Sequence, residues 1–165
     1  MSNEHNWLDE LLAKVASGDM PPQEALQQFF LHKRAEGSAA LTEEDNAFIS
    51  AMDAVETAQL VAKWCARYAE AQGGVTAIEV DLRRPSFFHP NRRPPLITGT
   101  ALSGKRIMLF STDHAGMDGE DAADCLRVSG SFSGAAADPV FLPVFRNALA
   151  TAITGLGLPS PTYLQ

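Results

Sequence analysis

Cysteine is scarce in this 165-residue chain, and the two that occur, Cys65 and Cys125, stand in no C-x-x-C or other metal-spaced pattern. Such usage offers neither a disulfide framework nor a cysteine-built metal site, and it fits a reducing compartment. Long apolar runs are missing too: none approaches the ~18 residues that a membrane helix needs. The opening residues MSNEHNWLDELL carry neither the basic stretch nor the unbroken apolar stretch of a secretion signal. A cytoplasmic protein without membrane contact is therefore expected. The nucleotide-binding glycine fingerprint, the Walker and G-x-S-x-G patterns, the kinase signatures and H-E-x-x-H are all lacking. Positive charge is in short supply: 13 basic against 20 acidic residues give a formal charge of −7, which counts against broad affinity for nucleic acid or anionic membrane.

What is present suffices for a packed core. Hydrophobic residues make up 45% and charged residues 20%, far from the composition of a disordered chain. The length fits one domain spanning residues 1–165, with a helical part over 1–73 and a sheet with a closing helix over 74–165. Charge is spread unevenly. Residues 74–112 hold 6 basic and 2 acidic side chains, a basic island between an N-terminal part with 5 and 12 and a C-terminal part with 2 and 6.

Trp7, Leu8, Leu11, Leu12 and Val15 share one face of a first helix that Gly18 closes, and Leu26, Phe29 and Phe30 line a second that begins near Pro22 and ends by Gly37. Thr42 and Asp45 resemble a capping box for a third helix, whose apolar positions run from Phe48 to Tyr68 before Gly73 and Gly74, with a break conceivable between Asp53 and Thr57. From Val75 the period changes to two. Ile78, Val80 and Leu82 alternate with Glu79 and Asp81, as in a strand with one wet face, which implies an antiparallel sheet. Leu96–Leu102 and Arg106–Ser111 read as two more strands joined at Ser103-Gly104, and Arg127–Ser133 as a fourth through the alternation of Val128, Gly130 and Phe132. Gly99, Gly104, Gly116 and Gly119 read as turn residues. The last helix is expected at or after Pro143, apolar nearly all round through Val144, Phe145, Leu149 and Ile153, followed by the tail SPTYLQ. Such a helix must be covered by its own domain or by another chain.

Two segments carry candidate chemistry. In RRPSFFHPNRRPP, Arg83, Arg84, Arg92 and Arg93 bracket Phe87, Phe88 and His89 between two strands. Guanidinium groups pair bidentately with carboxylate or phosphate, and the aromatics can stack or fill a partner's pocket. The plainer reading is a proline-stiffened connection whose phenylalanines turn inward and whose arginines pair with the chain's own acidic helices. In STDHAGMDGEDAAD, Asp113, His114, Asp118, Glu120, Asp121 and Asp124 crowd the end of a strand, the groups that metal binding or acid–base chemistry uses. Their spacing matches no known ligand ladder, so a solvated acidic loop is the plainer reading there. Cys125 with His114 or His89 can be drawn as a nucleophile pair, though nothing in the sequence brings them together, and His5 and His32 read as surface groups.

The expectation is an α+β fold: N-terminal helices, then an antiparallel sheet of about four strands and an apolar C-terminal helix. The expected function is a non-catalytic interaction protein of adaptor, chaperone or inhibitor type. It would hold another protein or a second copy of itself as a homodimer, through the Arg83–Arg93 loop or the last helix. No cofactor, metal or catalytic residue is assigned. A small hydrolase or metal-dependent enzyme centred on Asp113, His114 and Asp118, with Cys125, is the alternative. An RNA- or nucleotide-binding module using the arginine loop is a further one.

Overall fold

The longest helix begins where the Thr42 hydroxyl accepts the Asp45 amide at 3.1 Å and the Asp45 carboxylate accepts the Thr42 amide at 2.9 Å. Two donors that a helix start leaves unpaired are thus satisfied reciprocally. The other end is set by Gly73 and Gly74 at φ +82° and +104°, with the Gly74 amide donating back to the Ala69 carbonyl at 2.8 Å. Backbone of that hand suits glycine and turns the chain out of the helix.

In this computed structural model the described residues are 3–37, 40–87, 89–113, 119–135 and 138–165, the side chains of 3–6, 119 and 120 excepted. They form helices α1 (Asn3–Ala16), α2 (Pro22–Ala35) and α3 (Glu43–Ala71), then strands β1 (Val75–Asp81), β2 (Leu96–Ala101) and β3 (Arg106–Phe110). Helices α4 (Gly119–Ser131) and α5 (Phe141–Gly155) and the short strand β4 (Pro161–Tyr163) complete the order. The fold is α+β. Helix α3 runs unbroken through Asp53–Thr57, and no helix among the described residues is long and apolar enough to cross a membrane.

The strand order is β3-β2-β1-β4. Both hairpin pairs are antiparallel, with Asp81 opposite Leu96 and Thr98 opposite Met108, but β4 lies parallel to β1, so the sheet is mixed rather than purely antiparallel. Pro161 opens that edge strand, a position where its missing amide costs no ladder bond, and the Leu164 amide donates to the Val80 carbonyl at 2.9 Å. Residues read as a tail thus complete the sheet. Helices cover one face, where Ile78, Val80, Ile97, Leu109 and Phe110 meet α3, α4 and α5. The other face is wet: Arg106 of β3 reaches Glu79 of β1 at 2.6 Å and Thr98 of β2 at 3.4 Å, a polar strap across three strands. Gly99 is no turn residue but sits inside β2, where a Cβ would lie 2.9 Å from the Leu109 side chain.

Three further expectations are corrected. Arg127–Ser133 is not a strand: Arg127–Ser131 end α4 and Phe132 and Ser133 form the turn after it, with Cys125, Val128 and Phe132 facing inward at helical spacing. Val128 and Phe132 satisfy a period of two and a period near 3.6 alike, which is why alternation misled. Helix α5 starts at Phe141, placing Pro143 in its first turn, where an amide has no partner to lose. Its Phe141, Phe145, Leu149 and Ile153 are buried, chiefly against α3, while Leu142, Val144, Ala148 and Ala152 are partly covered by the same body. His32 is no simple surface group, since its ring stacks on Trp7 with centroids 4.1 Å apart.

A second, smaller cluster joins α1 and α2 to the first half of α3 around Leu11, Phe29, Phe48 and Met52. Val144 and Ala148 of α5, with Val140 just before it, pack against this cluster.

Candidate functional site

The connection from β1 to β2 is the arginine loop, and its two ends are held together because Asp81 pairs across the ladder with Leu96. Asp81 was expected on the wet face. It is buried instead, 4% exposed, because the next residues fold over it. Its Oδ1 accepts the Arg83 amide at 2.9 Å and Arg83 Nε at 3.0 Å, and Arg84 Nε lies 3.4 Å from Oδ2. Hydrogen bonding from Arg83 outweighs burial and holds the Asp81 carboxyl below its ordinary pKa. Arg83 also donates to the Gln165 carbonyl at 2.5 Å, tying the loop base to the residues after β4. These arginines therefore pair with a strand residue rather than with the acidic helices.

Asp113, six residues after Ile107 of β3 in the sequence, grips the middle of the loop. Its Oδ1 accepts the Ser86 hydroxyl at 2.8 Å and its Oδ2 the Phe87 amide at 2.9 Å. The Ser86 amide donates to the Arg92 carbonyl at 2.9 Å, and the Arg92 amide to the His89 carbonyl at 2.9 Å, closing a turn over Pro90-Asn91. The outcome is a fixed backbone from which the Phe87 side chain extends, 80% exposed. Arg84, His89 and Arg93 are exposed beside it, while Arg92 is half-buried and donates through Nη1 to Ser129 Oγ of α4 at 3.3 Å. Phe88 lies outside the described residues.

The acidic segment resolves differently from its reading as a solvated loop. Asp121 and Asp124 belong to α4 and dock it on α3: Asp121 meets Arg67 at 2.9 Å, Asp124 accepts the Trp64 indole N–H at 3.2 Å, and the Arg67 guanidinium lies 4.9 Å over the Trp64 ring. His114 and Asp118 lie outside the described residues, as does the side chain of Glu120. Asp113 serves as the loop's anchor. Among the described residues no group of three or more His, Cys, Asp or Glu side chains is placed to hold a metal ion.

Neither cysteine has the setting of a nucleophile. Burial, with the Asp124 and Asp121 carboxylates adding to it, pushes the Cys125 thiol up to about 11, and its Sγ points at the Ser111 carbonyl, 3.7 Å away. Burial pushes Cys65 up to about 12. Reactive cysteines need the reverse, a thiolate favoured by positive surroundings. Thr57, Ser131 and Asp53 form a further hydroxyl–carboxylate group between α3 and α4, with Ser131 Oγ donating to Asp53 at 3.1 Å, and Arg127 meets Glu56 beside it at 2.8 Å. That arrangement is a helix–helix staple.

Other clefts among the described residues lie away from the loop, two of them against α1 and α3. One, of about 340 Å³, is apolar and runs between α1, α3 and α5 along Leu12, Val15, Met52, Val55 and Val144. The other, of about 320 Å³, lies beside the Trp7–His32 stack, above the Lys33–Asp45 ion pair at 2.9 Å. Sequence reasoning named the loop's arginines and aromatics but missed Asp81, Ser86 and Ser129, which give the loop its shape. The D-L-R-R order was the one available signal, a carboxylate two residues before a guanidinium. Comparison with family models, with curated proteins and with solved structures finds no match to this chain.

Proposed function

We propose that this chain is a non-catalytic protein-interaction module whose contact surface is the β1–β2 loop, with Phe87 as its anchor and Arg84 and Arg93 as flanking charges. One observation carries the reading: a phenylalanine is held 80% exposed on backbone that Asp113 secures through both carboxylate oxygens. An aromatic ring held 80% exposed on backbone that is already fixed can enter a partner's pocket at low entropic cost. The flanking guanidinium groups suit a partner surface with carboxylates around an apolar pocket.

The last helix, the other surface considered, supports this less well, because α3 and the main cluster take up its apolar sides. The nucleic-acid reading is weakened where Asp81 engages Arg83 and by the formal charge of −7. The test is affinity capture from cell extract by the wild type, Phe87→Ala and Arg84→Ala/Arg93→Ala proteins in parallel. A specific partner whose recovery falls about tenfold or more in Phe87→Ala, at unchanged thermal midpoint, is the expected result. Equal recovery by all three proteins overturns the proposal.

A further inference from the structure

Arg92 differs from its neighbours in the loop. Arg83 and Arg84 meet the Asp81 carboxylate and Arg93 is exposed to water, but Arg92 is half-buried and meets no carboxylate among the described residues. Its one side-chain acceptor there is the Ser129 hydroxyl, a neutral group at 3.3 Å. A guanidinium drawn partly out of water without a counter-ion is costly, and the chain has 20 acidic residues from which one could have been supplied. Arg92 lines a cleft of about 490 Å³ with His89, Asn91, Ser133 and Gly134, between the loop's turn and the end of α4. Among the described residues no carboxylate lines that cleft, and His89, Asn91 and Ser133 bring polar residue types to its lining. The backbone is fixed there by the same Ser86–Arg92 and Arg92–His89 bonds that shape the loop.

We infer that this cleft takes a phosphate monoester carried by the partner, a phosphorylated side chain docked on Arg92 next to the Phe87 anchor. A carboxylate offers two acceptor oxygens and one charge, whereas a tetrahedral phosphate dianion offers three oxygens and up to two charges to the guanidinium, imidazole, amide and hydroxyl around it. The volume lies within the range of about 300–1,000 Å³ typical of ligand pockets, so a substituted phosphate fits as well as the bare ion. The local excess of basic residues over 74–112 favours the anion's approach despite the overall charge.

This inference rests on the loop being the contact surface, but its test needs no partner. The full chain, with its backbone amides assigned by NMR, is titrated with O-phosphoserine, serine and inorganic phosphate, each against sodium chloride at equal ionic strength. Saturable shifts with O-phosphoserine at Asn91, Arg92 and Gly134, absent with serine and with chloride, are expected. Arg92→Ala should weaken that binding about tenfold or more, Arg92→Lys less, and Arg84→Ala less than about twofold. No saturable shift, shifts reproduced by chloride, or equal losses in Arg84→Ala and Arg92→Ala would overturn the inference. So would saturation by inorganic phosphate with O-phosphoserine excluded, which would make the cleft a site for the unattached ion. Phosphoserine binding together with a failed Phe87 capture experiment would leave the cleft standing and remove the contact-surface reading.

Discussion

The two hydrophobic clusters of this molecule differ in what closes them. The larger is walled by the inner sheet face, α3, α4 and α5, and holds Phe110, Phe132, Phe141 and Phe145 fully or almost fully buried. The smaller has helices alone: α1 and α2 close it against the first half of α3, with Phe30 and Leu31 of α2 left 48% and 62% exposed. Phe29, Phe48 and Met52 of the smaller cluster are as buried as the rings of the larger one, but a two-helix hairpin on one side of a rod covers them where a sheet and three helices enclose the others. Elements covered on one side open at lower free energy than the body they pack on. The loop that we propose as the contact surface belongs to the better-enclosed half, through Asp81, Asp113 and Ser129.

This contrast can be broken by mutation. Phe145→Ala should cost about 3–5 kcal/mol, read as a lower urea midpoint with all probes moving together. Phe29→Ala removes an equally buried ring from the smaller cluster, yet its effect should be concentrated in amide hydrogen exchange of α1 and α2, with the strands keeping their protection. Equal loss of protection in both halves would show that the clusters form one cooperative unit. Asp113→Ala removes the acceptor of two loop hydrogen bonds and should cost about 1–3 kcal/mol, with faster exchange at the Phe87 amide. A smaller effect is expected from acid. Burial opposes ionisation of Asp45, but Lys33 and the Thr42 cap outweigh it and hold its carboxyl below the ordinary value, and Arg83 does the same for Asp81. Both then add stability that is complete above the ordinary carboxylate range and is lost as pH falls through their lower native values. Asp81→Asn should accordingly flatten the acid limb of the midpoint-versus-pH curve. Phe87→Ala should be smallest, within about 0.5 kcal/mol of wild type, because an exposed ring adds little to folding.

The three helices of the first half were readable in outline, because capping, apolar spacing and terminal glycines agree there, but Phe30, read as lining α2, is 48% exposed. Strand β1 was readable through Ile78 and Val80, but not the inward turn of Asp81, which depends on Arg83 and Arg84 folding back over it. Helix α4 was hidden because Val128 and Phe132 fit both periods, and its inner flank is shared with Asp121 and Asp124, which look like solvent-facing acids until Arg67 and Trp64 are beside them. Strand β4 has three residues and begins with proline, too little for any pattern. In the loop, the residue types were visible and their arrangement was not. The bonds from Asp113 to Ser86 and Phe87 cross more than twenty-five residues of sequence, and aromatic residues are expected inside unless something holds them out.

The parallel placement of β4 bears on how the chain is made. Ile78 and Val80 leave the ribosome well before Pro161 and Tyr163, their respective partners, have been synthesised. At translation speeds of about 5–20 residues per second, that edge of the nascent sheet stays open for several seconds, long enough to meet another unfinished chain.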